Sequence, residues 1–403
     1  MPTCSGLGTD AFVGGAGSNV ASGNYSFVGA GQNNQACDGW SAIAGGYQNA
    51  ISKSMAPSVG DGFIGGGEFN VLTGVESNSA IVAGNTNEVS NDNSAVVGGT
   101  ANSVAAAKSL VGGGDTNKIA AAGTDAAIVS GYQNNLSGEY GFIGAGTNNN
   151  VSGEGGYIAA GGYNTVSGLG AVIDGGFNST AAGTFATIPG GYVNSAAGTY
   201  SFAAGARASA AQNGTFVWSD GSDGDTILTS TAAYQFLARA SGGFTLYTNA
   251  ASTVGARLAA GSGTWASLSD RNVKTNISPL DDATVLAKVA QLPISRWSYK
   301  TEHGVRHVGP MAQDFYAAFK VGEDDRHITS IDEDGVALAA IKALHAENAL
   351  LRRQGSAAIN ALHLENASLR GQLAALKASQ ARHDLLVDRE LQRLSAVSAL
   401  RER

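Results

Sequence analysis

The tetrad Gly-x-x-Asn recurs through the first half of the chain, and it constrains the fold more than any other feature. Its Asn falls at 34, 49, 70, 87, 102, 117, 134, 149, 164, 178 and 194, with a further copy at 19. The spacing is near 15 residues, with longer steps after Asn49, Asn70 and Asn117. A fixed short period is the mark of a solenoid, in which each coil contacts only its neighbours. Fifteen residues are too few for a helical hairpin but enough for two short strands and two corners. Ala42-Ile43-Ala44, Phe63-Ile64, Ala95-Val96-Val97, Phe142-Ile143 and Val172-Ile173 supply the alternation expected of inward-facing strands. Gly is suited to positive-φ corners. The recurring Asn is either a left-handed corner residue or a rung in a stacked amide ladder.

Composition supports this reading. The chain has 403 residues with 57 Gly but only 6 Pro, so a collagen triple helix is excluded. Ala and aliphatic residues are too abundant for a disordered linker. Residues 1–206 carry three Lys (Lys53, Lys108, Lys118) against twelve Asp/Glu, a net −9; residues 207–403 carry +1. Such an acidic surface is not expected to attract nucleic acid or anionic membranes. No run of 18 apolar residues is present, so membrane insertion is not expected. The opening Met-Pro-Thr-Cys-Ser-Gly lacks the basic and apolar regions of a signal peptide, leaving the export route open. Cys4 and Cys37 are expected as two free thiols, with a bridge between them as the alternative.

Units such as Gly-Gly-Tyr-Gln-Asn-Ala-Ile-Ser (45–52) and Gly-Thr-Asn-Asn-Asn-Val-Ser-Gly (146–153) resemble the left-handed β-rolls of trimeric autotransporter adhesin heads. The resemblance implies a trimeric β-roll over about 15–206. After 207 the tetrad stops. Thr215–Trp218, Tyr234–Ala240 and Gly243–Tyr247 read as strands of a β-rich neck, 207–268.

The segment Thr264-Trp265-Ala266-Ser267-Leu268-Ser269-Asp270-Arg271-Asn272-Val273-Lys274 is followed by Ile294-Ser295-Arg296-Trp297-Ser298-Tyr299. Further on comes His307-Val308-Gly309-Pro310-Met311-Ala312-Gln313-Asp314-Phe315. Together they resemble the intramolecular chaperone domain of endosialidases, phage tail spikes and the myelin regulatory factor. The resemblance implies an α+β chaperone over 269–335 that cuts its own chain between Leu268 and Ser269. Ser269 would be the nucleophile and Lys274 the base. Asp270, Arg271, Asn276, His307 and Gln313 would support them, His307 more readily as a structural residue. The family usually has an apolar residue where Pro310 stands.

A Ser hydroxyl needs a base, and a Lys can act as one only when partly neutral, through burial or nearby cations such as Arg271. Five residues on an ideal helix turn through about 500°, which leaves the two side chains about 140° apart. The pair is therefore expected on a turn, or completed by another subunit. Read alone, Ser-Asp-Arg is an ordinary turn or helix cap.

Residues 336–403 read as a long helix with a heptad seam. It runs Ile341, Leu344, Asn348, Leu351, then Ile359, Leu362, Asn366, Leu369, Leu373, Leu376, with a discontinuity beside Gly355. Asn348 and Asn366 occupy matching seam positions, where a buried Asn fixes register. Asp220, Asp223 and Asp225 lack the spacing of a calcium loop and read as a plain acidic turn. No metal or other cofactor is expected.

The fold expected is a β-solenoid (1–206), a β-rich neck, an α+β chaperone and a coiled-coil helix. The function expected is that of a homotrimeric tail-fibre-like or adhesin-like protein, extracellular or on a virion tail, with a cell-surface glycan or host receptor as partner. A polysaccharide-degrading tail spike with the same chaperone is the alternative, although the narrow coils suit a deep cleft poorly. A membrane-released transcription factor lacks both the membrane span and the basic segment.

Overall fold

The computed structural model describes residues 4–52, 60–74 and 78–401. Met1-Pro2-Thr3, which opens the sequence, and Lys53 lie outside them. The chain divides into two compact units, residues 1–246 with 257–266, and residues 247–256 with 267–403.

The first unit is a β-solenoid. Up to Ala196 the coils contribute two-residue strands to each of two parallel sheets, one of 16 strands and one of 14 in all; beyond it the strands of the first sheet lengthen to four or five residues. In each pair the second residue points inward. Ile43, Ile64, Val96, Ile143 and Ile173 of the first sheet, and Ile51, Leu72, Val104 and Leu136 of the second, are fully buried. Parallel stacking puts like on like, as in Ile43↔Ile64 and Val96↔Val111. A single coil encloses almost nothing, so the core exists only through this stacking.

The recurring Asn forms the amide ladder. Asn102 Nδ2 lies 3.1 Å from Asn87 Oδ1, 3.1 Å from Gly98 O and 3.0 Å from Gly114 O. Its own Oδ1 accepts from Asn117 N at 3.0 Å and from Asn117 Nδ2 at 3.1 Å. The left-handed corner falls instead on the residue before it, such as Phe69, Ala101 or Tyr163. One assignment is corrected. At 178 the tetrad slips by one: Asn178 is the exposed left-handed residue (φ 54°), and Ser179 takes the rung. Ser179 N donates to Asn164 Oδ1 at 3.0 Å, and Asn194 N to Ser179 Oγ at 3.2 Å. Two adjacent glycines, Gly175 and Gly176, make either alignment readable from sequence. Glycine itself is required at the coil's tightest point. At Gly99 (φ 90°) a Cβ would stand 2.1 Å from Gly114 O.

The extra residues after Asn117 lie in the corner between Ile119 and Ala127. They leave the register Leu110↔Ala127 and Lys118↔Asn135 undisturbed.

The two sheets run on past Ala206, where the tetrad stops. Phe216–Asp220 and Phe236–Arg239 extend the first sheet, and Leu228–Thr229 the second. Stacked rings continue the contact from Phe202 to Phe216 to Phe236 at 4.7 and 4.6 Å. The ladder ends where Asn194 Oδ1 accepts from Ala208 N at 2.9 Å. The acidic turn is tied by arginines: Asp223 pairs with Arg239 at 2.6 Å, and Asp225 with Arg207. Asp220 accepts from the Ser241 and Ser222 backbone N–H groups, which hold its carboxyl far below the usual carboxylate range.

The expectation of free thiols is also corrected. Cys4 and Cys37 form a disulfide. The coil geometry brings Cys4 beside Cys37, a proximity that 33 residues of sequence separation conceal.

In the second unit, helix α1 (Asp282–Gln291), helix α2 (Ala312–Phe319) and helix α3 (Ser330–Arg401) accompany a hairpin of Ser295–Trp297 with His307–Gly309. Asp281 caps α1, accepting from Thr284 Oγ1 at 2.6 Å and from Ala283 N at 3.2 Å. Val285 of α1 and Ala339 and Ala340 of α3 form a small core with Leu286, Val289, Phe319 and Val336. Helix α3 runs 72 residues, unbroken at Gly355. No helix among the described residues is long and apolar enough to cross a membrane.

Candidate active site

The site grows from one short turn. The chain leaves a strand, Trp265–Ser267, and Leu268 N donates to Gly255 O at 3.1 Å, which fixes the residue before Ser269. Asp270 then caps a single 3-10 turn, Arg271–Val273. Its carboxylate accepts from Asn272 N at 2.9 Å and from Asn272 Nδ2 at 3.0 Å. Asp and Asn are natural here because their short side chains bond nearby backbone. Lys274 closes the turn with N–H to Arg271 O at 3.2 Å, and its backbone is extended. The tight turn reverses the chain, so the Lys274 side chain folds back and Nζ donates to Ser269 Oγ at 2.6 Å.

A regular helix would have separated these two side chains. The 3-10 turn between extended residues brings them together within one chain. Seryl oxygen and lysyl nitrogen are the two groups needed for nucleophilic attack with proton transfer. Both residues are exposed, as are Leu268 and Arg271.

The other expected residues have different surroundings. Asn276 takes a left-handed conformation (φ 55°) just beyond Lys274. His307 sits on the hairpin, stacked on Trp297 at 4.6 Å, with Nε2 2.9 Å from Glu302 Oε2. Its partners are structural ones of the hairpin. Gln313 lies in the first turn of α2, near Tyr316 and Lys320. Pro310 precedes α2, where it displaces no helical hydrogen bond. Asn348 and Asn366 are exposed on α3, Asn366 Nδ2 donating to Leu362 O at 2.9 Å. Sequence reasoning missed Gly255 as the anchor of Leu268, because strand pairing thirteen residues away leaves no local signal.

Among the described residues no cluster of His, Cys, Asp or Glu has the geometry of a metal site. A family model described as chaperone of endosialidase matches residues 269–321. The match begins at Ser269, the residue that accepts the Lys274 hydrogen bond. A search of curated proteins found no significant match.

Proposed function

We propose that this chain, a β-solenoid followed by an endosialidase-type chaperone domain, is a homotrimeric tail-fibre-like or adhesin-like protein that releases its own chaperone. The observation that carries the reading is the 2.6 Å contact between Lys274 Nζ and Ser269 Oγ at the first residue of the family match.

In the proposed reaction Ser269 Oγ attacks the Leu268 carbonyl carbon. Lys274 in its neutral form takes the hydroxyl proton and returns it to the Ser269 nitrogen as the C–N bond breaks. The acyl group moves from nitrogen to oxygen, leaving an ester. Water then hydrolyses the ester, giving a Leu268 carboxylate and a new Ser269 amino terminus. An ammonium in open water keeps its proton, so the base must be shielded before it can act. The single chain leaves the dyad exposed. Shielding is therefore assigned to neighbouring chains, and cleavage follows assembly.

The exposed seam of α3 supports that assembly. Leu344, Leu351, Leu362, Leu369 and Leu376 are each about half exposed or more, against a heptad spacing that suits a coiled coil. The chaperone would hold three chains in register while slow non-local pairing completes, and its loss would leave a kinetically trapped fibre. Deployment outside the cell against a surface glycan or host receptor follows from the fibre reading. Light scattering on purified protein should give three times the chain mass, and a denaturing gel should show residues 1–268 and 269–403 as separate pieces. A monomer at micromolar concentration overturns the trimer.

A further inference from the structure

The two sheets of the solenoid expose opposite chemistry. In the second sheet the outward residue of each strand is polar from the middle coils onward, as in Glu88, Ser103, Lys118, Asn135, Thr165 and Thr180. In the first sheet, fifteen strands in line each flank an inward residue with two outward positions, and these are apolar or glycine throughout except Asp174 and Thr187; the longer strand Phe216–Asp220 adds Asp220 beyond them, beside Arg239. Val82, Val97, Leu110 and Val129 are 42–50% exposed there. Phe142 stacks flat on Tyr157 at 5.2 Å in the same column.

This apolar column is not needed by the coil. The interior is already closed by the fully buried Ile, Val and Leu of both sheets. Nor is it scattered, as exposed apolar residues on a monomer usually are. At about 4.8 Å per strand the fifteen strands span about 70 Å. A width of about 10 Å gives about 700 Å² per chain, close to the roughly 800 Å² per partner of a stable interface. The surface is also flat. Gly29, Gly65, Gly112 and Gly144 alternate with the larger side chains, so it offers ridges for another sheet and no groove for a small ligand.

We propose that the outer face of the first sheet is the surface on which copies of this chain pack, with the second sheet turned to solvent. The proposal rests on the trimer reading above and names the face that reading requires. A second copy is the occupant that fits. A second copy carries an apolar strip of the same length and coil spacing, so every level finds an equivalent level opposite. Within this strip the Asp174 level is the one where like charges approach, and it lies next to Thr187, the other polar exception.

Single cysteines placed in the full chain separate the possibilities. Val97→Cys and Val129→Cys lie on the first sheet; Ser103→Cys and Asn135→Cys lie on the second. All four sites are outward-facing and the substitutions are small, so each variant's oligomeric state is measured first by light scattering. A short bismaleimide is then added and products are read on a denaturing gel. A trimer in which the first-sheet cysteines give several-fold more covalent dimer than the second-sheet cysteines is the expected result. A trimer that cross-links equally from both sheets, or mainly from the second, overturns the assigned face and leaves the trimer reading intact. Wild-type monomer overturns both.

Discussion

Lys274 Nζ stands 2.6 Å from Ser269 Oγ across one 3-10 turn, so the two side chains of the proposed dyad meet without any help from a second element of the fold. Removing either atom should stop the cut. Ser269→Ala deletes the attacking oxygen with little change in volume, and the uncut chain should still assemble. Lys274→Ala should slow cleavage by at least about 100-fold, the usual contribution of a positioned base. Lys274→Arg should fail as fully, since guanidinium stays charged. N-terminal sequencing should find Ser-Asp-Arg-Asn in wild type and in none of the three variants. Cleavage at that bond in Ser269→Ala would assign the cut to an external protease.

The ladder predicts unequal costs for similar Asn substitutions. Asn102→Ala leaves the buried Asn117 backbone N–H without its acceptor and takes from Gly98 O and Gly114 O the amide that donates to them. It should cost about 3 kcal/mol, the scale of an unsatisfied buried pair. Asn178→Ala touches an exposed left-handed residue and should cost about 1 kcal/mol or less. Urea unfolding followed by circular dichroism compares them. Equal losses would mean that the rung at 178–179 is Asn178 after all.

The Cys4–Cys37 bridge closes a loop with a sequence separation of 33 residues, worth about 3–4 kcal/mol in the chain-entropy account. Because coils touch only their neighbours, its loss should be felt locally. Cys37→Ser should raise amide exchange in the first three coils and leave exchange beyond Val96 unchanged. A uniform rise along the solenoid would show long-range cooperativity instead.

Acid should loosen α1 at its start. The Thr284 hydroxyl and backbone N–H hold the Asp281 carboxyl below its ordinary value. A depressed carboxyl contributes stability above its unfolded value, about 3.9 for Asp, and loses it as pH falls through the folded value. Exchange at Ala283 and Thr284, corrected for the intrinsic rate, should stay slow down to about pH 4 and quicken below it. Asp281→Asn keeps a cap but cannot titrate, so its exchange should not change over that range.

The Asn residues of the α3 seam give one more expectation. Replacing Asn348 and Asn366 with Ile should raise helix stability while admitting other oligomers. A double variant that stays solely trimeric and cuts normally would remove the register role.

What the sequence made legible follows from periodicity. The inward Ile and Val of each coil were readable because a two-residue alternation repeats at a fixed interval, and stacking leaves no other place for them. The Ser269–Lys274 turn was readable because five residues cannot face one another on a helix. The rest depends on contacts between distant segments. Phe69, Tyr163 and Val193 adopt left-handed φ that their side chains do not advertise; the ladder beside them imposes it. The sheets outlast the tetrad because Phe202, Phe216 and Phe236 stack and Arg207 and Arg239 tie the loop between, interactions with no repeat to announce them. The disulfide joins residues that become neighbours only once two coils have wound.

The insertion after Asn117 is absorbed in a corner while the register on both sides stays whole. The same bookkeeping applies to complete coils. Excising the fifteen residues Asn87–Ala101 would join equivalent points, so the rungs, the interior and the apolar strip would all reconnect. The solenoid would shorten by one strand spacing, about 4.8 Å. Reach is thus set by a tally of coils, a ruler whose graduations can be added or removed with neither end of the protein obliged to change.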